Sequence, residues 1–173
     1  PLSAVGEIVF YLKEVGSDVI LTLDQFYGKI AEVEQQYELR KVIITSAADE
    51  LGFIKRSAFK LKNAKKNKVD MTDEKVILWQ KFLQGGKYIN LKEHLVPSKD
   101  IDEAVILFSG GTTGVTKGIA LSNLNFNALG LQTASMCHKD VSRASMLAAM
   151  PIFHGFGLGV CIHTMLESGG TSI

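Results

Sequence analysis

Apolar positions along the first half of the chain recur with two different periods. Val5, Ile8, Val9, Leu12 and Val15 are spaced three or four residues apart, as on one face of a helix. Ser3 stands where an N-cap is expected, and Gly16 where a left-handed stop ends a helix. Asp18 then leads into the continuous apolar run Val19-Ile20-Leu21-Thr22-Leu23, which predicts a short buried strand. Asp24 can cap a second helix with Phe26, Ile30, Val33 and Tyr37 on its apolar face. Lys41-Val42-Ile43-Ile44-Thr45 is a second strand run. Helix, strand, helix, strand, with strands apolar on both faces, predicts an α/β fold: a parallel sheet with flanking helices built from βαβ units. Its crossovers are expected to be right-handed.

This regularity lapses after residue 49, and residues 49–100 read as an irregular basic insertion or linker within one domain spanning residues 1–173. Lys55, Arg56, Lys60, Lys62, Lys65, Lys66 and Lys68 supply seven cations with no acid between them. A solvated loop or exposed helix face accounts for such a run. Because Phe53, Ile54, Phe59 and Leu61 interleave with the cations, peripheral membrane contact through residues 55–68 is the functional alternative. Thr72, Asp73 and Glu74 open a further expected helix, with Val76, Trp79 and Leu83 on one face and a stop at Gly85-Gly86. Pro97-Ser98 reads as loop.

Composition narrows the function classes. Among 173 residues, 19 Lys and Arg nearly balance 18 Asp and Glu, and the net charge of +1 gives no global reason to expect nucleic acid. The two cysteines, Cys137 and Cys161, make neither a metal-ligand spacing nor a disulfide framework, which points to a reducing compartment and, by default, the cytoplasm. The most apolar stretch, Met150–Leu166, contains His154, His163 and three glycines in 17 residues, too short and too polar for a membrane span. The chain starts at Pro1 with no charged-then-apolar leader, and both ends fall within patterned sequence, so a fragment of a longer protein is expected. Residues 101–173 hold 3 basic and 4 acidic side chains but 10 of the 16 glycines. A charge-poor, glycine-rich half implies backbone that something approaches closely.

The chemistry concentrates in residues 104–125. The strand signal Ala104-Val105-Ile106-Leu107-Phe108 runs into Ser109-Gly110-Gly111-Thr112-Thr113-Gly114-Val115-Thr116-Lys117-Gly118. Glycines let successive N–H groups converge on one anion, hydroxyls add hydrogen bonds or contact Mg²⁺, and a lysine brings a mobile charge to the outer phosphates. This is what a polyphosphate cradle needs. It is not a Walker A loop, because Thr116 precedes Lys117 and Gly118 follows it. Nor does the chain contain the G-x-G-x-x-G dinucleotide fingerprint or a G-x-S-x-G elbow. Gly118-Ile119-Ala120-Leu121 reads as a returning strand, so the cradle is expected as strand–loop–strand, without a helix N-terminus. His154, within Met150-Pro151-Ile152-Phe153-His154-Gly155-Phe156-Gly157-Leu158, is the second candidate; His94, His138 and His163 read as structural, and no Cys or acidic cluster favours zinc.

Leu107–Gly118 resembles the signature loop of the adenylate-forming enzymes, the superfamily of acyl-CoA synthetases, luciferases and peptide-synthetase adenylation domains. There the loop commonly reads S/T-S/T-G-T-T-G-x-P-K-G. Leu121-Ser122-Asn123-Leu124-Asn125 is similar to the leucine-threonine-histidine-x-asparagine continuation, and Pro151–Gly157 to a proline-x-phenylalanine-histidine-x-x-glycine motif. Two positions depart from the pattern: Gly110 replaces the usual hydroxyl residue and Thr116 the usual proline, which removes one contact and loosens the loop.

The resemblance implies part of the large N-terminal domain of an AMP-forming acid–thiol ligase that uses ATP, Mg²⁺ and coenzyme A to activate a carboxylic acid. The opening region and Met150–Leu158 look most like the medium- or long-chain fatty acyl-CoA synthetases. It implies phosphate binding by Ser109, Gly110, Gly111, Thr112, Thr113, Gly114 and Lys117, a magnesium contact at Ser109, and catalytic roles for Lys117 and His154. A non-catalytic nucleotide- or acyl-adenylate-binding module is the alternative use of the same loop.

Overall fold

The computed structural model describes residues 3–63, 69–110, 116–137 and 140–173, those at 60–63 and 110 by their backbone alone. It divides into two compact units, Pro1–Leu95 and Val96–Ile173.

The first unit is built as the periodicity predicts. Helix α1 (Val5–Val15) buries Val9 and Leu12 and ends on Gly16, whose φ of 63° is the left-handed geometry a Cβ would penalise. The N-cap is Ala4 rather than Ser3, and the Glu7 carboxylate accepts the Ala4 N–H at 2.9 Å. Ser3 instead turns its carbonyl to the Lys29 ammonium. Strand β1 (Val19–Leu23) leads to a three-residue 3₁₀ turn, Asp24–Phe26, and then to α2 (Tyr27–Glu34). That turn advances the buried face by one residue, so Tyr27, not Phe26, joins Ile30 and Val33 inside.

Strand β2 (Lys41–Thr45) pairs parallel with β1, Ile20 opposite Val42 and Thr22 opposite Ile44. Val9, Leu12, Tyr27, Ile30, Val33, Leu39, Val42 and Ile44 form one buried cluster. Burial drives this arrangement: β2 is covered on both faces, so it must be apolar throughout, and Ile43 between Val42 and Ile44 is buried as well.

Residues 49–100 contain regular structure. Helix α3 (Phe53–Asn63) carries the start of the basic run, and β3 (Val76–Leu78) adds a parallel strand to β2, giving the order β1-β2-β3. The helix expected from Thr72 onward therefore begins late: Val76 and Ile77 are β-branched and find a partner strand, and α4 spans Trp79–Gly86. A single turn, α5 (Leu91–His94), follows.

In the second unit, β4 (Glu103–Gly110) and β5 (Thr116–Ser122) form an antiparallel hairpin. Helix α6 (Asn123–Met136) follows directly. A two-stranded parallel pair, β6 (Ser145–Met146) and β7 (Thr171–Ser172), flanks a π-helix over Phe156–His163 that continues into α7 (Thr164–Glu167). Both cysteines are free thiols, Cys137 exposed and Cys161 buried. No helix among the described residues is long and apolar enough to cross a membrane.

Ile44 is 2% exposed at the centre of the first core, whereas Leu21 on the neighbouring strand is 54% exposed. Ile44→Ala is expected to cost about 2–5 kcal/mol, through lost burial plus a residual cavity. Leu21→Ala should cost less than about 1 kcal/mol. Urea unfolding of the two variants, compared at equal m-value, measures the difference.

Candidate functional site

The site is assembled by the β4–β5 ladder. Ser109 lies directly opposite Lys117, and Gly110 opposite Thr116. Directly paired residues project from the same face with Cβ atoms about 5 Å apart. The hairpin therefore brings a half-buried hydroxyl and an exposed ammonium together where the glycine-rich segment leaves and rejoins the sheet. Gly111, Thr112, Thr113 and Gly114, expected to complete the cradle, lie outside the described residues, as do Lys65, Lys66, Lys68 and His138.

On the opposite face of the hairpin, the Phe108 and Ile106 side chains stand against Gly118. A Cβ on Gly118 would lie 3.2 Å from the Phe108 ring and 3.3 Å from Ile106 Cγ2. A side chain there would press on the Phe108 ring, which would have to shift by a few tenths of an ångström.

The segment containing His154 packs on the same face as Ser109 and Lys117. Side chains two apart on a strand share a face, so Leu107, opposite Ile119, belongs with Ser109 and Lys117. A Cβ on Gly155 would lie 3.3 Å from Leu107 Cδ1. The sequence motifs around Lys117 and His154, separated by some forty residues, thus meet across one contact.

His154 is held by its own turn. Its N–H donates to the Pro151 carbonyl at 3.0 Å, and its carbonyl accepts the Leu158 N–H at 3.0 Å. The Phe156 N–H donates to His154 Nδ1 at 3.2 Å. An acceptor at Nδ1 leaves the proton of the neutral imidazole on Nε2, so the exposed ring presents Nε2–H as a donor. Gly157 makes the turn sterically feasible. A Cβ there would fall onto the Pro151 carbonyl, within 2.7 Å of its carbon and 2.8 Å of the Met150 oxygen.

The π-helix behind this turn is tied to α6. His163 Nε2 lies 3.0 Å from Asn127 Oδ1, and its ring packs on Phe126 with centroids 4.4 Å apart. Thr164, fully buried, donates its hydroxyl to the Gly159 carbonyl at 3.1 Å. Where α6 begins, the Ser122 hydroxyl accepts the Asn125 N–H at 3.2 Å and Asn125 Oδ1 accepts the Ser122 N–H at 3.1 Å, a reciprocal cap. Ser122 and Asn125 of the motif after Lys117 thus fix where β5 turns into α6.

Two supporting features were not legible in the sequence. His163 reads as one of several isolated histidines, and only the fold sets it against Asn127. The wider π winding has no periodicity of its own, though π turns favour functional sites. Among the described residues no group of three His, Cys, Asp or Glu could hold a metal ion.

A family model described as "AMP-binding enzyme" matches residues 1–173. The chain belongs to the AMP-binding enzyme family. It is similar to the long-chain-fatty-acid–CoA ligase of Haemophilus influenzae, 29% identical over 100% of this chain and 32% of the relative. It is likewise similar to that of Bacillus subtilis, 28% identical over 98% of this chain and 30% of the relative. The chain thus spans just under a third of these curated relatives. Among solved structures, an acyl-CoA synthetase of Brucella canis matches with a TM-score of 0.67 and 17% identity, over 99% of this chain and 26% of that one. ATP-bound MatB of Rhodopseudomonas palustris matches with a TM-score of 0.65 and 16% identity, over 98% and 28%. These structures share the fold, that of the N-terminal part of adenylate-forming enzymes, as the resemblance implied.

Because the Gly157 contact is to backbone atoms that no rotamer change relieves, Gly157→Ala is expected to displace the His154 turn and destabilise the second unit by about 2–3 kcal/mol. Gly155→Ala, which meets only the tip of Leu107, should cost less than about 1.5 kcal/mol. Chemical denaturation together with the imidazole ¹⁵N shifts of His154 separates the two.

Proposed function

We propose that this chain forms the phosphate-binding part of an AMP-forming acid–CoA ligase, with a fatty acid as the substrate class. One observation carries the reading. The hairpin places Ser109 and Lys117 on one face, and the His154 turn packs on that same face through Gly155 and Leu107. The named activity of the relatives, long-chain-fatty-acid–CoA ligase, supports the acid class and coenzyme A as acceptor.

In the first step a carboxylate oxygen attacks the α-phosphorus of ATP, and the bond to the pyrophosphate oxygen breaks, giving acyl-adenylate and pyrophosphate. In the second, the coenzyme A sulfur attacks the acyl carbon and AMP leaves. The first step brings one anion against another, so its barrier falls when fixed donors and a cation offset the triphosphate charge. Lys117 supplies that cation at the base of the loop, and the backbone from Gly110 through Gly114, with the Thr112 and Thr113 hydroxyls, supplies donors to the β- and γ-phosphates. His154 directs Nε2–H at the carboxylate or the reacting phosphate and holds the two in line. None of these residues acts as a covalent nucleophile.

The donor set fits Mg²⁺ only through its ligand. Ser109 offers one neutral hydroxyl and no carboxylate cluster stands beside it among the described residues, so the ion would be held by phosphate oxygens and water with Ser109 as one contact. Mg²⁺ would neutralise charge on the leaving pyrophosphate. Free thiols at Cys137 and Cys161 suit the reducing, cytoplasmic setting this reading requires.

In a polypeptide of the relatives' length carrying this chain, Lys117→Ala is expected to lower kcat/KM for adenylation by about 10²-fold or more, measured by pyrophosphate release with a panel of carboxylic acids. A nucleotide sensor without chemistry would release no pyrophosphate to begin with, and that result would sink the ligase reading. His154→Gln, whose amide can donate near the position of Nε2, should retain more activity than His154→Asn. Equal losses would remove the donor role from Nε2.

A further inference from the structure

We propose that Thr164 is a positioning residue: its hydroxyl locks the π winding of Phe156–His163 and so sets where His154 presents Nε2–H. Its role in catalysis rests on the ligase reading; the lock itself does not. A π winding is rarely the favoured one for a chain, so something must hold it. The Gly159 carbonyl accepts two hydrogen bonds from Thr164, one from the N–H and one from the hydroxyl at 3.1 Å. In an α-helix a threonine hydroxyl reaches the carbonyl three or four residues back. Here it reaches five back, to an acceptor that the wider winding brings within range. Thr164 is 1% exposed, so the bond is out of reach of water.

Two glycines fit this register. A Cβ on Gly157 would fall on the Pro151 carbonyl, and one on Gly159 would lie 2.5 Å from Leu129 Cδ2. Rewinding by one residue into α geometry turns the preceding backbone by about 100°. Leu158 would then come to the position of one glycine or the other, against the Pro151 carbonyl or against Leu129. Gly157, Gly159 and Thr164 thus suit one winding.

A slip would be felt at His154. His163 Nε2, 3.0 Å from Asn127 Oδ1, and its ring on Phe126 fix the far end of the π-helix to α6. Any change of register is therefore taken up at the end that begins with Phe156. There the Leu158 N–H donates to the His154 carbonyl and the Phe156 N–H to His154 Nδ1. Both donors belong to the π segment, so a change of winding moves the imidazole with them. Ser109 and Lys117 are placed by the β4–β5 ladder and stay where they are.

Thr164→Val keeps the side-chain shape and the N–H bond to Gly159 and removes only the hydroxyl, so no carbonyl is orphaned and the fold is expected to stand. In a polypeptide of the relatives' length carrying this chain, it should lower kcat for acid-dependent pyrophosphate release by about ten-fold or more, with the KM for ATP within about two-fold of the parent. The imidazole ¹⁵N shifts of His154, identified by their loss in His154→Gln, should move. Thr164→Ser, which keeps the hydroxyl and loses the methyl, should restore most of the rate and the parent shifts. If valine does not fold there, Thr164→Ala takes its place. The proposal is overturned if removing the hydroxyl leaves kcat or the His154 shifts unchanged. It also fails if Thr164→Ser loses as much as Thr164→Val, which would assign the effect to packing of the methyl. A parent that releases no pyrophosphate removes the ligase reading, and the shifts alone then decide the lock.

Discussion

The cross-strand pairing of Ser109 with Lys117 is the constraint on which the candidate site depends. A glycine-rich segment has many conformations, and the entropy of ordering it around an anion is large. Pairing its two ends, Gly110 and Thr116, on one rung of an antiparallel ladder limits that freedom before any ligand arrives. The Ser109–Lys117 rung sets the Cα of a hydroxyl residue opposite that of a lysine, so backbone hydrogen bonds fix where both side chains start.

The rest of the second unit ties the His154 turn to the hairpin through α6. The cap at Ser122 and Asn125 starts α6 directly after β5, and α6 carries Phe126 and Asn127 to His163. His163 lies at the far end of the π-helix, whose near end is the tight turn at Gly157. A chain of short polar and steric contacts thus runs from the hairpin, through α6 and back to the imidazole. The first unit works by different physics. Its parallel sheet is apolar on both faces of β2, and burial of Val42, Ile43 and Ile44 holds it together.

The candidate site was legible to different depths. The strand signals before Ser109 and after Lys117 foretold the hairpin that flanks the glycine-rich segment, because each is a local run of β-forming residues. Gly110 and Thr116, the two departures from the family pattern, prove to be opposite each other on the last described rung. The role of Gly157 was hidden, since a glycine's close approach depends on which carbonyl lies over it. The asparagine partner of His163 was hidden as well, because the two are 36 residues apart.

Local pattern determined the elements: the spacing of Val5 through Leu12, the runs at 19–23 and 41–45, and the return strand after Lys117 are all backbone consequences of which residues sit at which period. Chain neighbours interact at short range, and period is a short-range property. Tertiary structure decided the rest. The stretch 76–78 became a strand and not the first turn of a helix because β2 offered its β-branched residues a partner. The turn that carries His154 came to lie against the β4–β5 hairpin because Gly155 fits against Leu107. Such contacts join residues far apart in the chain, and only the folded backbone fixes the distance between them.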